Sequence, residues 1–504
     1  MLNSNHVYRK FDDIVARVSK WLEPQINELS GFSKEIILDR LAQRVAEVAV
    51  GPYAQAVNIT GRYPDDIFYC KQVGIDPLSG ELSIGVKAFC INQFRFVSRW
   101  FYGLLAIVFC WAHDEKRPCT LLYGVGEESI FISSSDIRFI EYCKAGPIAP
   151  LRSGKKFYIQ MAGSRNSTMP NDFSYCPEPL IQATREAKIG FFPRLKLLIS
   201  HTQALIQYQQ AIFRLPSLSL LGSDFAYIGI MRQLIKTRSI DNIIITTSNY
   251  SSQPLWMRNL KSVEVHMISY SQNWKPIFYK EDNFDSDVPN LRYMRVNVHW
   301  VWTKAFAKYI QGLCSDCEVK VVGPILWRMP KEHKKNSSIL RIAIFDVPSL
   351  SDEVMREYGE ITNYFSYTNV SKFLMDVISM QSKLKKHLNI DVQMVLKTKR
   401  AYVKSAYQMK YYELLNKLER DGEIKVLPPE ANIYEIISDS DLVISYPFTS
   451  INYVADFLKK QSVYYDPTGS IVNHDFSDSQ TLIKFINSTE ELLSGTIKLL
   501  DKAV

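Results

Sequence analysis

The stretch DLVISYPFTSINYV, Asp441 to Val454, decides the fold. Its first half is short, apolar and β-branched, the pattern of a strand buried on both faces. From Ile451 to Leu458 the spacing becomes helical. Between the two lie Pro447, Phe448, Thr449 and Ser450. A strand that turns directly into a helix is part of a βαβ unit, which implies a parallel sheet. Thr449 or Ser450 falls where a helix N-cap would sit. A helix start offers unbonded N–H groups and the positive end of the dipole. With the hydroxyls of Thr449 and Ser450, the turn suits a phosphate. In the plainer reading the hydroxyls only cap the helix.

The same alternation continues on both sides. Leu340–Asp346 reads as a buried strand. After it come helix Val370–Leu388, strand Asp391–Leu396, helix Tyr402–Glu419, strand Ile424–Val426 and helix Ile433–Ser438. Beyond Val454 come strand Ser462–Tyr465 and a closing helix, Thr481–Asp501. A polar, basic segment, Trp327–Ser338, precedes this half and reads as a linker. Upstream, Thr120–Val125, Lys156–Gln160, Asp241–Thr247, Val263–Ser269, Val298–Thr303 and Val319–Gly323 read as strands. Helical patterns separate them at Ile181–Arg214 and Gln253–Leu260. Phe11–Leu29, Ser33–Val50 and Gly85–Ala112 are also helical. The expected class is α/β: residues 1–115 a helical extension, 116–330 one Rossmann-like domain, and 339–504 a second, with a cleft between them.

Composition sets limits. The chain has 504 residues, 46% hydrophobic and 22% charged, with 60 Lys+Arg against 52 Asp+Glu. These values exclude a disordered chain, a collagen and a small disulfide scaffold. A net charge of +8 without a long basic tract fits phosphate-bearing small molecules or an anionic membrane surface better than nucleic acid. Eight cysteines, mostly in apolar stretches, read as reduced thiols in a cytoplasmic protein. Cys314 and Cys317 have CxxC spacing but no second ligand pair in sequence, so the pair reads as structural or incidental. The opening residues have no signal-peptide h-region. The longest apolar run, Trp100–Ala112, is too short to span a bilayer, which needs about twenty residues.

Strand ends carry the candidate chemistry, because ligands of such sheets bind there. Lys397, Lys399 and Arg400 follow strand Asp391–Leu396 and suit a phosphate. Asp346 ends the first strand of the second half. There is no GxGxxG after a first strand and no GxxxxGK[ST], which excludes the dinucleotide and P-loop readings. No Asp-x-Asp lies near a strand end; the nearest are in the loop at Asp285–Asp287 and at the strand start Asp439–Asp441.

The segment Pro447–Ser450 resembles the polysaccharide-biosynthesis family named for its PFTS motif. Thr246–Arg258, His266–Pro276, Val301–Thr303, Val322–Trp327, Ile344–Val347 and Tyr464–Gly469 look like that family too. Two α/β domains, a linker and a terminal helix form the layout of a GT-B glycosyltransferase. The layout is distantly similar to bacterial transferases that use CMP-activated Kdo or sialic-acid-like sugars. The resemblance implies sugar transfer onto a capsule or lipopolysaccharide glycan. It implies no cofactor, since the nucleotide-sugar is the substrate, and no metal, since GT-B enzymes generally do without one. On this reading Lys397, Lys399, Arg400 and the turn from Ser445 through Pro447, Phe448, Thr449 and Ser450 bind the donor phosphate, and Asp346 meets the donor. Glu430 and Asn432 contact its base or ribose, although Asn432 would also serve as an N-cap. Asp466 suits the capping of a Pro-Thr-Gly turn.

Transfer needs a base or a carboxylate nucleophile. The first candidate is Asp224, expected to face the cleft. The second is His266, although a lone histidine on a strand is more often a core residue. Glu127 and Glu128 form a third option. Tyr270, Ser271, Gln272 and Asn273 are expected to line the cleft for sugar or acceptor. The acceptor would be lipid-linked, with peripheral contact at the cytoplasmic membrane face through Arg99–Trp111. Alternatives are a UDP- or GDP-sugar hexosyltransferase, a sugar-nucleotide epimerase, a CDP-alditol phosphotransferase and a non-catalytic scaffold.

Overall fold

The computed structural model describes residues 34–41, 44, 75–76, 83–109, 119–123, 146–153, 156–160, 173–176, 190–237, 240–246, 253–269, 271–272, 277–280, 293–314, 316–325, 339–351, 364–400, 407–473 and 482–501. Two parallel sheets dominate. The first contains β1 (Cys119–Tyr123), β2 (Lys156–Gln160), β3 (Phe173–Cys176), β4 (Ile240–Thr246), β5 (Glu264–Ile268), β7 (Val298–Val301) and β8 (Glu318–Val321). A short strand outside that sheet, β6 (Ile277–Tyr279), lies between β5 and β7. The spatial order is β8-β7-β5-β4-β1-β2-β3, with every pairing parallel.

The second sheet contains β9 (Ile339–Phe345), β10 (Asp391–Lys397), β11 (Lys425–Leu427), β12 (Leu442–Ser445), β13 (Gln461–Tyr465) and β15 (Ile483–Ile486), in the order β11-β10-β9-β12-β13-β15. It too is wholly parallel. A final short strand, β14 (Ile471–Asn473), pairs antiparallel with β6 and so ties the two halves together. Both large sheets are doubly wound, and the strand order of each reverses beside its first strand. In the second sheet that switch point falls between β9 and β12.

The apolar runs explain the sheets. β12 is buried at all four positions, and β9 has Ile342, Ala343 and Ile344 fully buried. Such strands need cover on both faces. In the second half α6 (Tyr367–Leu388), α7 (Met409–Arg420), α8 (Ile433–Asp439), α9 (Ile451–Phe457) and α10 (Thr489–Leu500) provide it. Ser366 caps α6 and Ser488 caps α10 through their side chains. In the first half α1 (Val86–Phe109), α3 (Phe191–Arg214) and α4 (Gly222–Thr237) pack together, and Phe96, Tyr208 and Phe225 share one core. The described residues of that half also include a helix at 34–41, the single turn α2 (Ala149–Ser153), a 3-10 helix at Pro216–Leu221 and α5 (Lys304–Leu313).

Several expectations need correction. Gln253–Leu260 is not a helix, only a 3-10 turn at Leu255–Met257 opened by Pro254. Thr481–Asp501 is not one helix. Residues Ile483–Ile486 form edge strand β15, and α10 begins only after the Ser488 cap. Strand β3 was not anticipated. Of the long helix expected at Ile181–Arg214, the described part starts at Phe191.

Candidate functional site

The site grows from the switch point of the second sheet. Phe345 pairs with Lys397 on one side and with Ser445 on the other. The next residues along β9, β10 and β12 therefore emerge together: Asp346, Thr398–Arg400 and Tyr446–Ser450. This is the carboxyl-end crevice where doubly wound sheets bind ligands.

The turn after β12 is tightly held. Phe448 has φ +61, a left-handed conformation that costs a non-glycine residue about 1–3 kcal/mol. Its ring is gripped edge-on by Tyr364 and Phe365, with centroids 5.6 and 6.2 Å away. Pro447 is buried. Thr449 Oγ1 donates to the Tyr446 carbonyl at 3.1 Å, and Tyr464 donates its hydroxyl to the Thr449 carbonyl. Ser445 Oγ donates to Asn452 Oδ1 at 2.7 Å. Ser450 occupies the N-cap position, yet its side chain makes no cap bond. Its Oγ instead accepts from the Gln272 N–H at 3.1 Å, across the two halves. The expected cradle is thus altered. The Ser445 and Thr449 hydroxyls are spent inside the turn, and α9 is a seven-residue helix with a correspondingly small dipole.

The charge beside this turn comes from β9 and β10. Asp346 is buried; its Oδ2 accepts from Tyr411, while Oδ1 has no partner. Burial pushes its carboxyl up to about 6, although Tyr411, Lys399 and Lys397 pull the other way. Lys397 is buried, donates to the Thr398 carbonyl at 3.1 Å and is lowered by that burial, opposed by Glu430 and Asp346. Lys399 falls to about 8 through desolvation, with Arg400 adding repulsion. Its surface is nevertheless open to solvent. Arg400 donates to the Tyr407 hydroxyl at 3.1 Å. Two cations, Lys397 and Lys399, are thus held against their own desolvation, and beside them lies a carboxyl that is itself costly to ionise. An arriving anion would relieve this strain.

Glu430 is exposed and close enough to Lys397 to act on its charge. Asn432 caps α8, accepting from the Tyr434 N–H at 3.1 Å. Asp466 is spent on the turn after β13, where it accepts from Thr468 and Ile471.

From the first half, Gln272 is fully buried and its Nε2 donates to Thr303 Oγ1 at 3.0 Å. Ser271 lies beside it, half-buried. Glu127, Glu128, Tyr270 and Asn273 lie outside the described residues.

The two catalytic candidates do not open onto this crevice. The carboxylate of Asp224, in the first turn of α4, is 8% exposed and accepts from Arg40 Nε at 2.6 Å. That ion pair corrects the expectation that it faces the cleft. His266 is 1% exposed, with Nε2 3.1 Å from Asn242 Oδ1 and Nδ1 accepting from Trp300 at 3.3 Å. Burial lowers it to about 4. It is a neutral core histidine, the plainer of its two readings.

Sequence reasoning missed Tyr411, Ser349 and Asn452. The Ser349 hydroxyl and Asn452 Nδ2 are buried without partners. Asn452 stands two residues past Ser450, inside the stretch that decided the fold. Tyr411 has no local signal, because its contact with Asp346 crosses 65 residues.

Two doubly wound sheets whose carboxyl ends meet across a cleft define the GT-B class. The chain belongs to the polysaccharide biosynthesis PFTS motif protein family, whose model matches residues 207–495. No curated protein matches the sequence. Among solved structures, S. aureus TarM in complex with UDP is similar at 12% identity, over 56% of this chain and 52% of that one, with TM-score 0.33. UDP-GlcNAc 2-epimerase from Methanocaldococcus jannaschii is similar at 10% identity, over 76% and 93%, with TM-score 0.41. Wall teichoic acid polymerase TagF is similar at 10% identity, over 82% and 89%, with TM-score 0.38. The chain thus spans about half the length of TarM. Likenesses this distant carry no argument about chemistry.

Proposed function

We propose that the protein is a glycosyltransferase of polysaccharide biosynthesis and binds its nucleotide-sugar donor on the second sheet. The observation that carries this reading is the group of Lys397, Lys399 and Arg400 beside Asp346 and the PFTS turn. Positive groups fixed at that crevice can neutralise a leaving phosphate without reorganising. The preferred donor is CMP-linked, a Kdo or nonulosonic acid, because a single phosphate matches so compact a cluster. UDP- or GDP-sugars are the alternative. Ser450 keeps a hydroxyl proton while its oxygen is bound to Gln272, so it can donate to a donor oxygen. Asp346, buried against Tyr411 beside Lys397 and Lys399, is the carboxyl this reading places at the donor.

The acceptor is a glycan carried at a membrane surface. Helices α1 and α3 support that part of the reading. They carry Lys87, Arg95, Arg99, Arg194, Lys196 and Arg214 and no acidic residue. Phe94, Phe101, Phe191, Phe192 and Phe213 are each more than half exposed on them. Exposed aromatic side chains on helices that carry only basic charge suit an anionic bilayer interface. Among the described residues no helix is long and apolar enough to cross a membrane.

The test is a turnover screen of the full chain with CMP-, UDP- and GDP-sugars and a lipid-linked glycan fraction, following nucleotide release and acceptor mass. Acceptor-dependent release from one donor supports the reading. Epimerised donor without acceptor, or no consumption of any donor, overturns it.

A further inference from the structure

The amino-end side of the first sheet carries a second cluster, on the opposite side of β7 and β8 from the cleft. His299 is the second residue of β7, Cys314 follows the last turn of α5, and Cys317 immediately precedes β8. One ring nitrogen of His299 and the two sulfurs lie within 4.8 Å of one another. Neither cysteine is in a disulfide. His299 is 1% exposed, and its Nε2 is buried without a hydrogen-bond partner. A buried imidazole nitrogen left unpaired is costly unless something binds it. Both cysteines are half-buried.

We propose that His299, Cys314 and Cys317 bind one thiophilic divalent cation, zinc by preference, with water in the fourth position. Two thiols and an imidazole are the ligand types zinc selects. The three side chains come from a strand, a helix end and the residue before the next strand, so they are already gathered. Binding requires the sulfurs as thiolates, and metal uptake releases their protons. Cys317 Sγ donates to the Cys314 carbonyl at 3.1 Å, a contact that metal uptake replaces as the thiol gives up its proton. The metal would pin the end of α5 and the edge strand β8 to β7. The start of α5 is fixed independently: Thr303 caps it, accepting from the Phe306 N–H, and also holds Gln272. The site therefore braces the helix whose N-cap, Thr303, supports the cleft. It takes no part in the proposed transfer.

The test uses the full chain, reduced and without a polyhistidine tag. Metal content is measured after growth with added zinc, and the metal-free protein is titrated with Co²⁺. The proposal expects one zinc per chain and, with cobalt, thiolate charge-transfer absorption together with tetrahedral d–d bands at one equivalent. In C314S/C317S both signals fall to background. His299→Ala weakens cobalt binding by at least the ~100-fold that even outer-shell changes can cause, and Cys90→Ser changes nothing. The wild-type cobalt spectrum decides the matter even if a variant fails to fold. No thiolate–cobalt band in the reduced wild type overturns the proposal, as does a band that survives in C314S/C317S. A Cys314–Cys317 disulfide on mild oxidation, with no metal uptake before it, overturns the proposal in favour of a redox pair.

Discussion

The backbone N–H of Gln272 donates to Ser450 Oγ across 3.1 Å, joining the segment after β5 to the turn after β12. One hydroxyl thus connects the two halves at the point where their carboxyl ends meet. Ser450→Ala removes it and leaves a buried N–H without its partner. A loss of about 1 kcal/mol is expected in denaturant unfolding. Ser450→Thr should restore most of it. A donor-affinity loss in Ser450→Ala much larger than the stability loss would mark the hydroxyl as a substrate contact.

Lys399 sets a pH limit. With its ammonium lowered to about 8 by burial, the cation is lost as pH rises through that value. Nucleotide affinity should therefore fall above about pH 8, while the Lys399→Arg variant, charged throughout, should bind evenly to pH 9 or so. Titration calorimetry across that range checks this. An unchanged affinity to pH 9 in the wild type contradicts the role given to Lys399.

Asp346 works in the other direction. Its folded-state carboxyl is raised by burial to about 6 from an ordinary 3.8. The raised value contributes stability that is full below the unfolded value and is lost as pH rises through about 6. Asp346→Asn keeps an acceptor for Tyr411 and removes that dependence. The melting-temperature gap between variant and wild type should move in the variant's favour from pH 4 to pH 7. A gap that stays constant would contradict the assignment.

The two buried first-half residues should behave as structure. Asp224→Ala leaves Arg40 charged and buried, at a cost of about 3 kcal/mol. His266→Ala opens a cavity and unpairs Trp300, costing about 2 kcal/mol. Activity per folded molecule should survive both, as measured at a temperature where each variant is fully native. A 1,000-fold or so loss in folded protein would return either residue to the catalytic role.

The layered α/β architecture and most of its central strands were legible because they rest on local signals. Runs such as Ile342–Phe345 and Leu442–Ser445 have no polar face, and their spacing with helices dictates parallel sheets. The placement of Lys397, Lys399, Arg400 and the Pro447–Ser450 turn at strand ends was legible for the same reason. What stayed hidden is long-range pairing. Nothing near Asp224 announces Arg40, which lies 184 residues away, and nothing near Cys314 announces His299. Edge strand β15 was read as helix because Ile483–Ile486 has one partner strand and only a short alternation.

The membrane reading is open to a direct check. Phe94→Glu combined with Phe101→Glu should abolish co-sedimentation with vesicles containing anionic lipid and leave nucleotide binding intact. Equal binding to zwitterionic vesicles, or no effect of the two substitutions, would contradict a basic-aromatic docking face.

The central claim is that the crevice between β9, β10 and β12 holds a nucleotide phosphate. Titration calorimetry of wild type and Lys399→Ala with CMP, UDP and GDP at neutral pH tests it most directly. The account predicts one nucleotide bound per chain, with affinity reduced at least about tenfold in Lys399→Ala, as expected for a lost charge-assisted contact. Binding that is indifferent to Lys399→Ala, or no binding of any nucleotide, would contradict it.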